Sequence, residues 1–477
     1  MSTKPHVDLV VVGAGPAGLS CAVTAAELGS SVVLIDSETR PGGQFWRHGN
    51  KYTASAHGKG HHDWKTFRSL RRRLAQAIKD GSLRYLPRTQ VWMLEGDDGF
   101  TVHTTPTTAA SKPASAHRTI RSPQLALCTG AYDRQLPVPG WDLPGAMAAG
   151  GVQGFIKANG FAPGSTVVVG GTGPFLLSVA ASLARTDATV AAVCEANSPT
   201  AWLPHLHRAV AAPGKAAEAA EYASVFARHR IPYRTRTMVT RILGNDQVEA
   251  VETSKLDRDG QPLPGTRREI PCDLVALGWG FTPQLELPMA LGAETSIGDD
   301  GSLVCRTDKQ GRTSVPGLVV AGETTGVGGA ALAVAEGRAA AHAVTENTPP
   351  KRTGRTITRL RRFAQGMHQS YPIPSGWQEP LTDDAVVCRC EEVSAGEITT
   401  AAEDMAATDP RSAKSFTRAG MGWCQGRECG FAVTCMNSKD PMRPDADALR
   451  AVQKRLLAAP IPLGALSDMD IPRTDPT

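Results

Sequence analysis

The stretch from Val7 to Asp36 limits the fold of this chain more than any other part of it. An apolar, β-branched run leads into the glycine-rich turn Gly13–Gly18, an alanine-rich helical span follows, and a second apolar run ends in Asp36. In such a turn the first glycine permits a sharp bend, the second lets the backbone approach a pyrophosphate, and the third lets helix and strand pack closely. The terminal carboxylate can accept a hydrogen bond from a ribose hydroxyl. The stretch therefore predicts a dinucleotide-binding βαβ unit.

Length and composition limit the number of domains and the classes of partner that the chain can have. With 477 residues it exceeds a single hydrophobic core, so we expect two or three domains. The formal net charge of +5 is small for this size and favours neither nucleic acid nor a membrane surface as a partner. Leu9–Ala26 is apolar, but its glycines and Pro16 break it as a signal or membrane-spanning segment. We expect no transmembrane segment and a cytoplasmic protein.

A second unit of the same type begins after a proline-rich crossing. Thr166–Val169 is predicted as a strand, a glycine-rich turn and a helix to Arg185 follow, and the strand Thr189–Cys194 is followed by Glu195. Here Leu176 occupies the third glycine position, and we expect it to push the helix away from the strand or to narrow the site. The pattern predicts a Rossmann-like fold, and it leaves open whether a second nucleotide binds at the Gly171/Gly173 turn. Glu195, if it is used, would favour a free ribose 2′-hydroxyl over a 2′-phosphate.

A third strand-to-helix transition occurs late in the chain. The apolar run Gly317–Ala321 ends in Gly322 and Glu323, and a glycine-rich turn then leads into the predicted helix Ala330–Val344. A strand end, an acid and a helix N-terminus together can hold a polar chain and a phosphate. Two other segments are predicted to be connecting segments. They are a surface loop at Thr105–Ser122 and a basic linker or docking arm at Pro349–Gln378.

Four of the ten cysteines are grouped near the C-terminus. Cys388 and Cys390 form a CxC pair, 33 residues follow, and Cys424 and Cys429 form a CxxxxC pair. Four thiolates make a soft site that suits an iron–sulfur cluster or zinc. Structural zinc sites more often use short CxxC pairs, so the spacing favours [2Fe–2S] and leaves zinc as the alternative. Neighbouring glycines at 420, 422, 426 and 430 could turn backbone N–H groups toward cluster sulfurs.

The other cysteines are scattered and do not form a disulfide framework. Cys435 is surplus to the cluster, and the remaining five lie in apolar strand-like or helix-like contexts typical of inert buried thiols: Cys21, Cys128, Cys194, Cys272 and Cys305. No CxxC or CxxxxC pair lies near the first dinucleotide unit, so the chain lacks the redox dithiol of a disulfide reductase. The sequence also offers no arrangement for nucleophilic hydrolysis.

Taken together, these motifs resemble one family. They are GAGPAG, RPGGQ, CTGAYDRQLPVPGWDLPGAM, VVVGGTGPFLL, GWGFTP, VPGLVVAGETTGVGGAALAVAEG, CRCEEVSAGEI and TRAGMGWCQGRECG, from Val7 to about Cys435. The chain resembles the α (A) subunit of bacterial opine, proline, hydroxyproline and amino-acid dehydrogenases, a group that includes the FAD-binding subunit of hydrogen cyanide synthase. Its two-dinucleotide core is also similar to the α subunit of heterotetrameric sarcosine oxidase. The last two motifs resemble the ferredoxin-like domain of bacterioferritin-associated ferredoxin (BFD).

The resemblance implies FAD at the first unit and a [2Fe–2S] cluster near the C-terminus. The implied FAD contacts are Gly13, Gly15, Pro16 and Ala17 at the pyrophosphate, Asp36 at the adenosine ribose, Gly43 and Gln44 beside the cofactor, Val91 at the adenine, Thr129 and Gly130 over the cofactor, and Gly322 and Glu323 at the ribityl–phosphate region. The implied cluster ligands are Cys388, Cys390, Cys424 and Cys429. Glu323 stands where the wider superfamily usually has Asp. No catalytic residue is assigned.

The implied fold is α/β, with two Rossmann-like dinucleotide-binding domains and a small helical C-terminal [2Fe–2S] ferredoxin-like domain. We expect a discontinuous FAD domain at 1–145 and 300–346, a second dinucleotide domain at 146–299, the linker at 347–382, the cluster domain at 383–440 and a tail at 441–477.

The resemblance implies an electron-transfer subunit of an amino-acid, imino-acid or opine dehydrogenase. Substrate would be oxidised on a partner flavin-bearing β subunit, with or without a small ferredoxin-like γ subunit, and electrons would pass to an external acceptor. Two alternatives stay open. One is a self-contained NADH-dependent reductase with FAD and [2Fe–2S], and the other is a non-catalytic, zinc-stabilised FAD-binding module.

Overall fold

The computed structural model describes residues 7–50, 58, 60–96, 98–107, 118–209, 212–438, 444–455 and 457–467. Up to residue 133 the elements are β1 (Leu9–Val12), α1 (Pro16–Glu27), β2 (Val32–Ile35), α2 (Trp64–Lys79), β3 (Leu83–Leu86), β4 (Thr89–Glu95), β5 (Phe100–Pro106), β6 (Arg118–Ser122), β7 (Gln124–Leu127) and β8 (Ala131–Asp133). The middle of the chain forms β9 (Ala146–Ala148), α3 (Ala149–Asn159), β10 (Thr166–Gly171), α4 (Phe175–Leu183), β11 (Thr189–Glu195), α5 (Leu206–Ala209), α6 (Pro213–His229), β12 (Tyr233–Thr235), β13 (Thr237–Leu243), β14 (Ala250–Lys255), β15 (Arg268–Pro271), β16 (Leu274–Gly278), β17 (Phe281–Pro283) and α7 (Glu286–Ala290).

The chain then continues through two further groups of elements. The first consists of β18 (Thr295–Ile297), β19 (Leu303–Cys305), β20 (Leu318–Val320), α8 (Ala330–Val344) and α9 (Lys351–Ser370). The C-terminal group consists of β21 (Val386–Cys388), β22 (Val393–Ser394), α10 (Ala395–Asp404), α11 (Pro410–Thr417), α12 (Gly430–Met436), α13 (Ala446–Gln453) and α14 (Leu463–Ser467).

Two parallel five-stranded sheets form the centre of the fold. The first has the order β20-β7-β1-β2-β3, and the second has the order β12-β11-β10-β16-β9. In β1, Leu9 and Val11 face one hydrophobic core while Val10 and Val12 face another, because alternate residues of a strand point to opposite faces. Two smaller antiparallel sheets, β4-β5-β6 and β13-β14-β15, accompany them. The predicted α/β class with two Rossmann-like units is confirmed.

Helix α1 is packed between neighbours on both sides. It contacts α2 and, more extensively, α8, and α9 packs on the far side of α8. The contact with α8 leaves no room for a side chain at Gly337, where an added Cβ would lie 2.0 Å from the carbonyl oxygen of Ala17. This close approach places β20 and α8, late in the chain, directly beside the first glycine-rich turn.

Two segments without predicted secondary structure contain regular elements. The expected loop at Thr105–Ser122 begins with the end of β5 and finishes with β6, which pairs with β5, while residues 108–117 lie outside the described part. The expected linker at Pro349–Gln378 contains the 20-residue helix α9. This helix has no N-terminal side-chain cap, but Ile357, Leu360, Ala364 and Met367 repeat at helical spacing, and Leu360 packs beside Leu332 of α8. Tertiary packing therefore forms this helix.

The C-terminal segment folds back on the first unit. Leu449 of α13 and Ala458 are buried in the core that surrounds the first sheet, and the amide of Ala458 donates to the carbonyl of Trp92 at 2.7 Å. Among the described helices, none has both the length and the apolar character needed to cross a bilayer.

The α1–α8 contact gives a first prediction. Gly337→Ala should lower the free energy of unfolding by about 1–3 kcal/mol, because the methyl group must displace the backbone of α1. Gly354→Ala on the exposed side of α9 is the matched control. An added Cβ there meets nothing within 4 Å, so this variant should gain about 0.5–1 kcal/mol from helix propensity. Thermal unfolding of both variants tests the contact, and a Gly337→Ala protein as stable as wild type would contradict it.

Candidate cofactor-binding site

A cavity of about 1990 Å³ opens at the carboxyl edge of the first sheet. Its wall includes every residue expected to contact FAD: Gly13, Gly15, Pro16, Ala17, Asp36, Gly43, Gln44, Val91, Thr129, Gly130, Gly322 and Glu323. They come from loops that are far apart in sequence, and the parallel order of the sheet brings them to one edge. The volume exceeds that of most small-molecule pockets, so a dinucleotide has room.

The first glycine-rich turn has the shape that a pyrophosphate requires. Gly13 has a φ of +97°, and an added Cβ would lie 2.3 Å from the carbonyl oxygen of Cys128. At Gly18 an added Cβ would lie 1.7 Å from the carbonyl oxygen of Gly13, so helix and strand touch here. Pro16 occupies the first turn of α1, where its missing N–H costs no helical hydrogen bond. The helix N-terminus is thus held open to an anionic ligand.

Asp36 stabilises this turn by accepting hydrogen bonds from its backbone. Its carboxylate accepts hydrogen bonds from the amides of Ala14 at 2.5 Å and Glu38 at 2.7 Å. Burial raises the pKa of Asp36 to about 6, although the two amide donors oppose this shift. The sequence suggested only a ribose contact for Asp36, whereas the structure adds a second role in holding the glycine-rich turn.

The late glycine–acid pair is held by the predicted helix α8 and, through it, by α9, which was not predicted. The amide of Gly322 donates to Glu336 of α8 at 3.1 Å, and Glu336 forms a 2.5 Å ion pair with Arg361 of α9. Glu323 faces the cavity, and burial, with a contribution from the charge of Asp133, raises its pKa to about 7. Glu336 and Arg361 were missed because their partners are distant in sequence.

The wall of the cavity also contains a half-buried cation. Lys157 of α3 donates to the carbonyl of Phe45 at 3.0 Å and to the side-chain oxygen of Gln153 at 2.9 Å. Burial, assisted by the positive charge of Arg47, lowers the pKa of Lys157 to about 8. Nothing in the local sequence marks this lysine. His61 also lines the cavity and stacks on Trp64.

The four grouped cysteines form two hydrogen-bonded pairs. Cys388 pairs with Cys429 in the interior, while Cys390, which is exposed, pairs with the half-buried Cys424. The hydrogen bond from Cys429, and then backbone donors that include the amide of Gly420 at 3.4 Å, lower the pKa of Cys388 to about 6. Within the described residues, no group of three or more His, Cys, Asp or Glu side chains is placed to hold one metal ion.

These features fit a [2Fe–2S] cluster. Each iron of such a cluster takes two cysteine ligands in the all-cysteine form, and the sulfurs accept hydrogen bonds from nearby amides. The loop passes so close to the outer pair that an added Cβ at Gly422 would lie 2.3 Å from the Cβ of Cys390. Cys424 also lines the same cavity as the FAD-type residues, together with Arg427 and Glu428.

The five cysteines expected to be inert are all buried, and burial raises the pKa of each: Cys21, Cys128, Cys194, Cys272 and Cys305.

The second glycine-rich turn is stabilised by a buried acid in the same way as the first. Glu195 accepts hydrogen bonds from the amide of Gly173 at 2.9 Å and from the Thr172 hydroxyl at 3.0 Å, and burial raises its pKa to about 7. Leu176 is fully buried between α4 and β16, where an added Cβ at Gly278 would lie 3.0 Å from it. Its side chain therefore packs against the sheet, and whether a nucleotide binds at Gly171/Gly173 stays a prediction.

The paired cysteines give a second prediction. Replacing Cys388 or Cys424 with Ser should remove most of the bound iron and acid-labile sulfide, because either replacement removes one of the four proposed cluster ligands. Cys435→Ala in the neighbouring helix α12 is the control, and it should keep wild-type iron content because Cys435 is outside both pairs. Iron and sulfide analysis of the purified proteins checks this. A Cys424→Ser protein with full iron content, or a wild-type protein that contains zinc in place of iron, would contradict it.

Comparisons with known proteins agree with this geometry. Residues 7–341 match the model of the pyridine nucleotide-disulphide oxidoreductase family, and residues 386–434 match the BFD-like [2Fe-2S] binding domain. The A-type subunit of opine oxidase from Agrobacterium tumefaciens is 32% identical over 90% of this chain and 84% of its own length. Hydrogen cyanide synthase subunit HcnB of Pseudomonas aeruginosa is 28% identical over 96% of this chain and 98% of its own.

The solved structure of L-proline dehydrogenase from P. horikoshii shares the fold, with a TM-score of 0.64 and 19% identity over 96% of this chain and 79% of that one. The resemblance inferred from the motifs is thus confirmed, as are FAD and [2Fe–2S] as the cofactors of these two domain types. This chain belongs to the pyridine nucleotide-disulphide oxidoreductase family and adds a BFD-like [2Fe–2S] domain to it.

Proposed function

We propose that this chain is the electron-transferring subunit of a multi-subunit dehydrogenase that oxidises an amino acid, an imino acid or an opine. The observation that carries the proposal is the shared cavity, because Cys424 of the cluster domain and the FAD-type residues line one continuous space. The names of the relatives support the remainder, since opine oxidase and hydrogen cyanide synthase are both built from subunits.

We assign each group of FAD-type residues in the cavity wall to one part of the cofactor. We assign Gly13, Gly15, Pro16 and Ala17 to the pyrophosphate, Asp36 to the adenosine ribose, Val91 to the adenine, Thr129 and Gly130 to the cover of the cofactor, Gly43 and Gln44 to its flank, and Gly322 and Glu323 to the ribityl–phosphate region. Cys388, Cys390, Cys424 and Cys429 are assigned to the cluster.

When bound, FAD exchanges one or two electrons and the cluster exchanges one, so the pair can split a two-electron oxidation into single steps. The chain itself orients both groups. Asp36 and Glu336 hold the two loops that face the cofactor, and Lys157 keeps a positive charge in the cavity wall. The CH–NH group of the substrate would lose its hydride on the partner chain.

An exposed apolar surface beside the outer cysteine pair supports exchange with another protein. Trp423, next to Cys424, is 84% exposed, and Met421 and Phe416 are exposed nearby in sequence. Exposed large apolar side chains in one region are typical of interaction sites. We assign this surface to contact with a redox partner.

An NADH-dependent reductase is the second candidate, and one observation favours it. Thr172 and Gly173 of the second glycine-rich turn and Ser178 of α4 line the same cavity as the FAD-type residues. One contact argues against the reductase. The side-chain amide of Asn197 donates to the carbonyl of Pro372 at 2.7 Å, so the segment after α9 lies against this turn.

The electron-transfer role predicts the behaviour of a complex with an amine-oxidising flavoprotein encoded beside this chain. Anaerobic addition of the cognate amino acid, imino acid or opine should reduce the cluster of the wild-type complex, monitored by electron paramagnetic resonance. With Cys424→Ser the substrate should still bleach the partner's flavin, while turnover with an external acceptor falls at least tenfold. Unchanged turnover without the cluster would refute the electron-transfer role.

The two candidates also differ in a simple mixing experiment. If the chain is an electron-transferring subunit, anaerobic NADH should leave the flavin absorbance of the isolated, FAD-loaded chain unchanged over minutes. Prompt bleaching at equimolar NADH would favour the reductase instead.

A further inference from the structure

A buried polar network joins the cluster loop to the first unit. Its members are Tyr132, Glu286, Arg427 and Arg455. Glu286 Oε1 lies 2.8 Å from Arg427 Nε and 3.1 Å from Arg455 Nη1, and it accepts from the Tyr132 hydroxyl at 3.1 Å. Arg427 Nε also donates to the Tyr132 hydroxyl at 2.7 Å. One carboxylate oxygen thus gathers three donors that come from three separate parts of the chain.

The network is buried and carries a net charge. The side chains of Glu286, Arg455 and Arg427 are only 8%, 11% and 15% exposed. Two guanidinium groups face one carboxylate, so the network carries a formal charge of +1. Buried charges of this kind are costly unless hydrogen bonds satisfy them, which makes an ion-paired cluster weak evidence for stability alone.

Both arginines also hold the backbone beside the cluster ligands. Arg427 Nη1 donates to the carbonyl of Cys424 at 3.2 Å, and Arg455 Nη2 donates to the carbonyl of Gln425. On the other side, Tyr132 lines the cavity two residues after Gly130. The network therefore connects the loop that contains two cluster ligands to the wall of the FAD-type cavity.

We infer that this network seats the cluster loop on the cavity wall and raises the reduction potential of the cluster through its positive charge. Reduction adds one negative charge to the cluster, and a nearby buried positive charge favours that form. Tyr132, Glu286, Arg427 and Arg455 are positioning residues in this account, since they act on the cluster through the loop and the field.

Two substitutions separate charge from structure, because they change the net charge in opposite directions. Glu286→Gln keeps the shape of the side chain and raises the network charge to +2, so the cluster should become easier to reduce. Arg455→Gln lowers the charge to zero, so the cluster should become harder to reduce. For each we expect about a tenfold change in the ratio of reduced to oxidised cluster at a fixed solution potential, which equals about 59 mV for one electron.

The measurement is a redox titration of the full-length, cluster-loaded chain, followed by the visible absorbance of the cluster, with iron content determined for each protein. Arg455→Lys keeps the charge but loses the forked hydrogen bonds, so its potential should stay close to wild type. The exposed pair Glu294 and Arg306, 3.2 Å apart, supplies controls. Glu294→Gln and Arg306→Gln make the same charge changes there and should leave the potential unchanged.

Shifts of the same sign in Glu286→Gln and Arg455→Gln, or no shift in either, would overturn the inference. Loss of iron from Arg455→Lys would support the seating of the loop, whereas a potential of Arg455→Lys as low as that of Arg455→Gln would overturn the role of the charge. The titration uses neither the partner chain nor the substrate, so its outcome is independent of the proposed dehydrogenase role.

Discussion

The close contact of helix α1 with β1 and with α8 is the constraint on which the rest of the structure depends. On one side there is no space for a Cβ at Gly18, and on the other there is none at Gly337. Because both positions are glycine, the helix N-terminus lies directly at the carboxyl edge of the first sheet. The late segment with Gly322 and Glu323 is held at the same edge, and the cavity forms between them.

The two glycine-rich turns are stabilised by the same device. In each unit the acid after the second strand, Asp36 or Glu195, turns inward and accepts hydrogen bonds from the turn itself. Burial disfavours the charged form of both carboxyl groups and so raises their pKa values. The hydrogen bonds from each turn stabilise the carboxylate and offset this effect in part. The acid that is usually described as a nucleotide ligand is thus also a structural part of its own loop.

Local spacing made much of the fold and site predictable from sequence. The glycine-rich turns and the four cysteines obey short-range rules, and the structure brings the predicted FAD contacts to one cavity. Helix α9 escaped prediction because its basic, uncapped segment suggests a linker, although Ile357, Leu360, Ala364 and Met367 repeat at helical spacing. The sequence did not indicate the roles of Glu286, Lys157 and Glu336, because each role depends on partners that are distant in sequence. Spacing alone also did not determine the effect of Leu176, because that depends on its side chain turning toward the sheet.

The central claim is that one chain holds FAD and a [2Fe–2S] cluster so that electrons pass between them. The most direct measurement is flash photoreduction of FAD in the isolated, fully loaded chain, with the cluster absorbance followed in time. The cluster should be reduced in a first-order step whose rate does not depend on protein concentration. A cluster that stays oxidised, or a rate proportional to protein concentration, would contradict it.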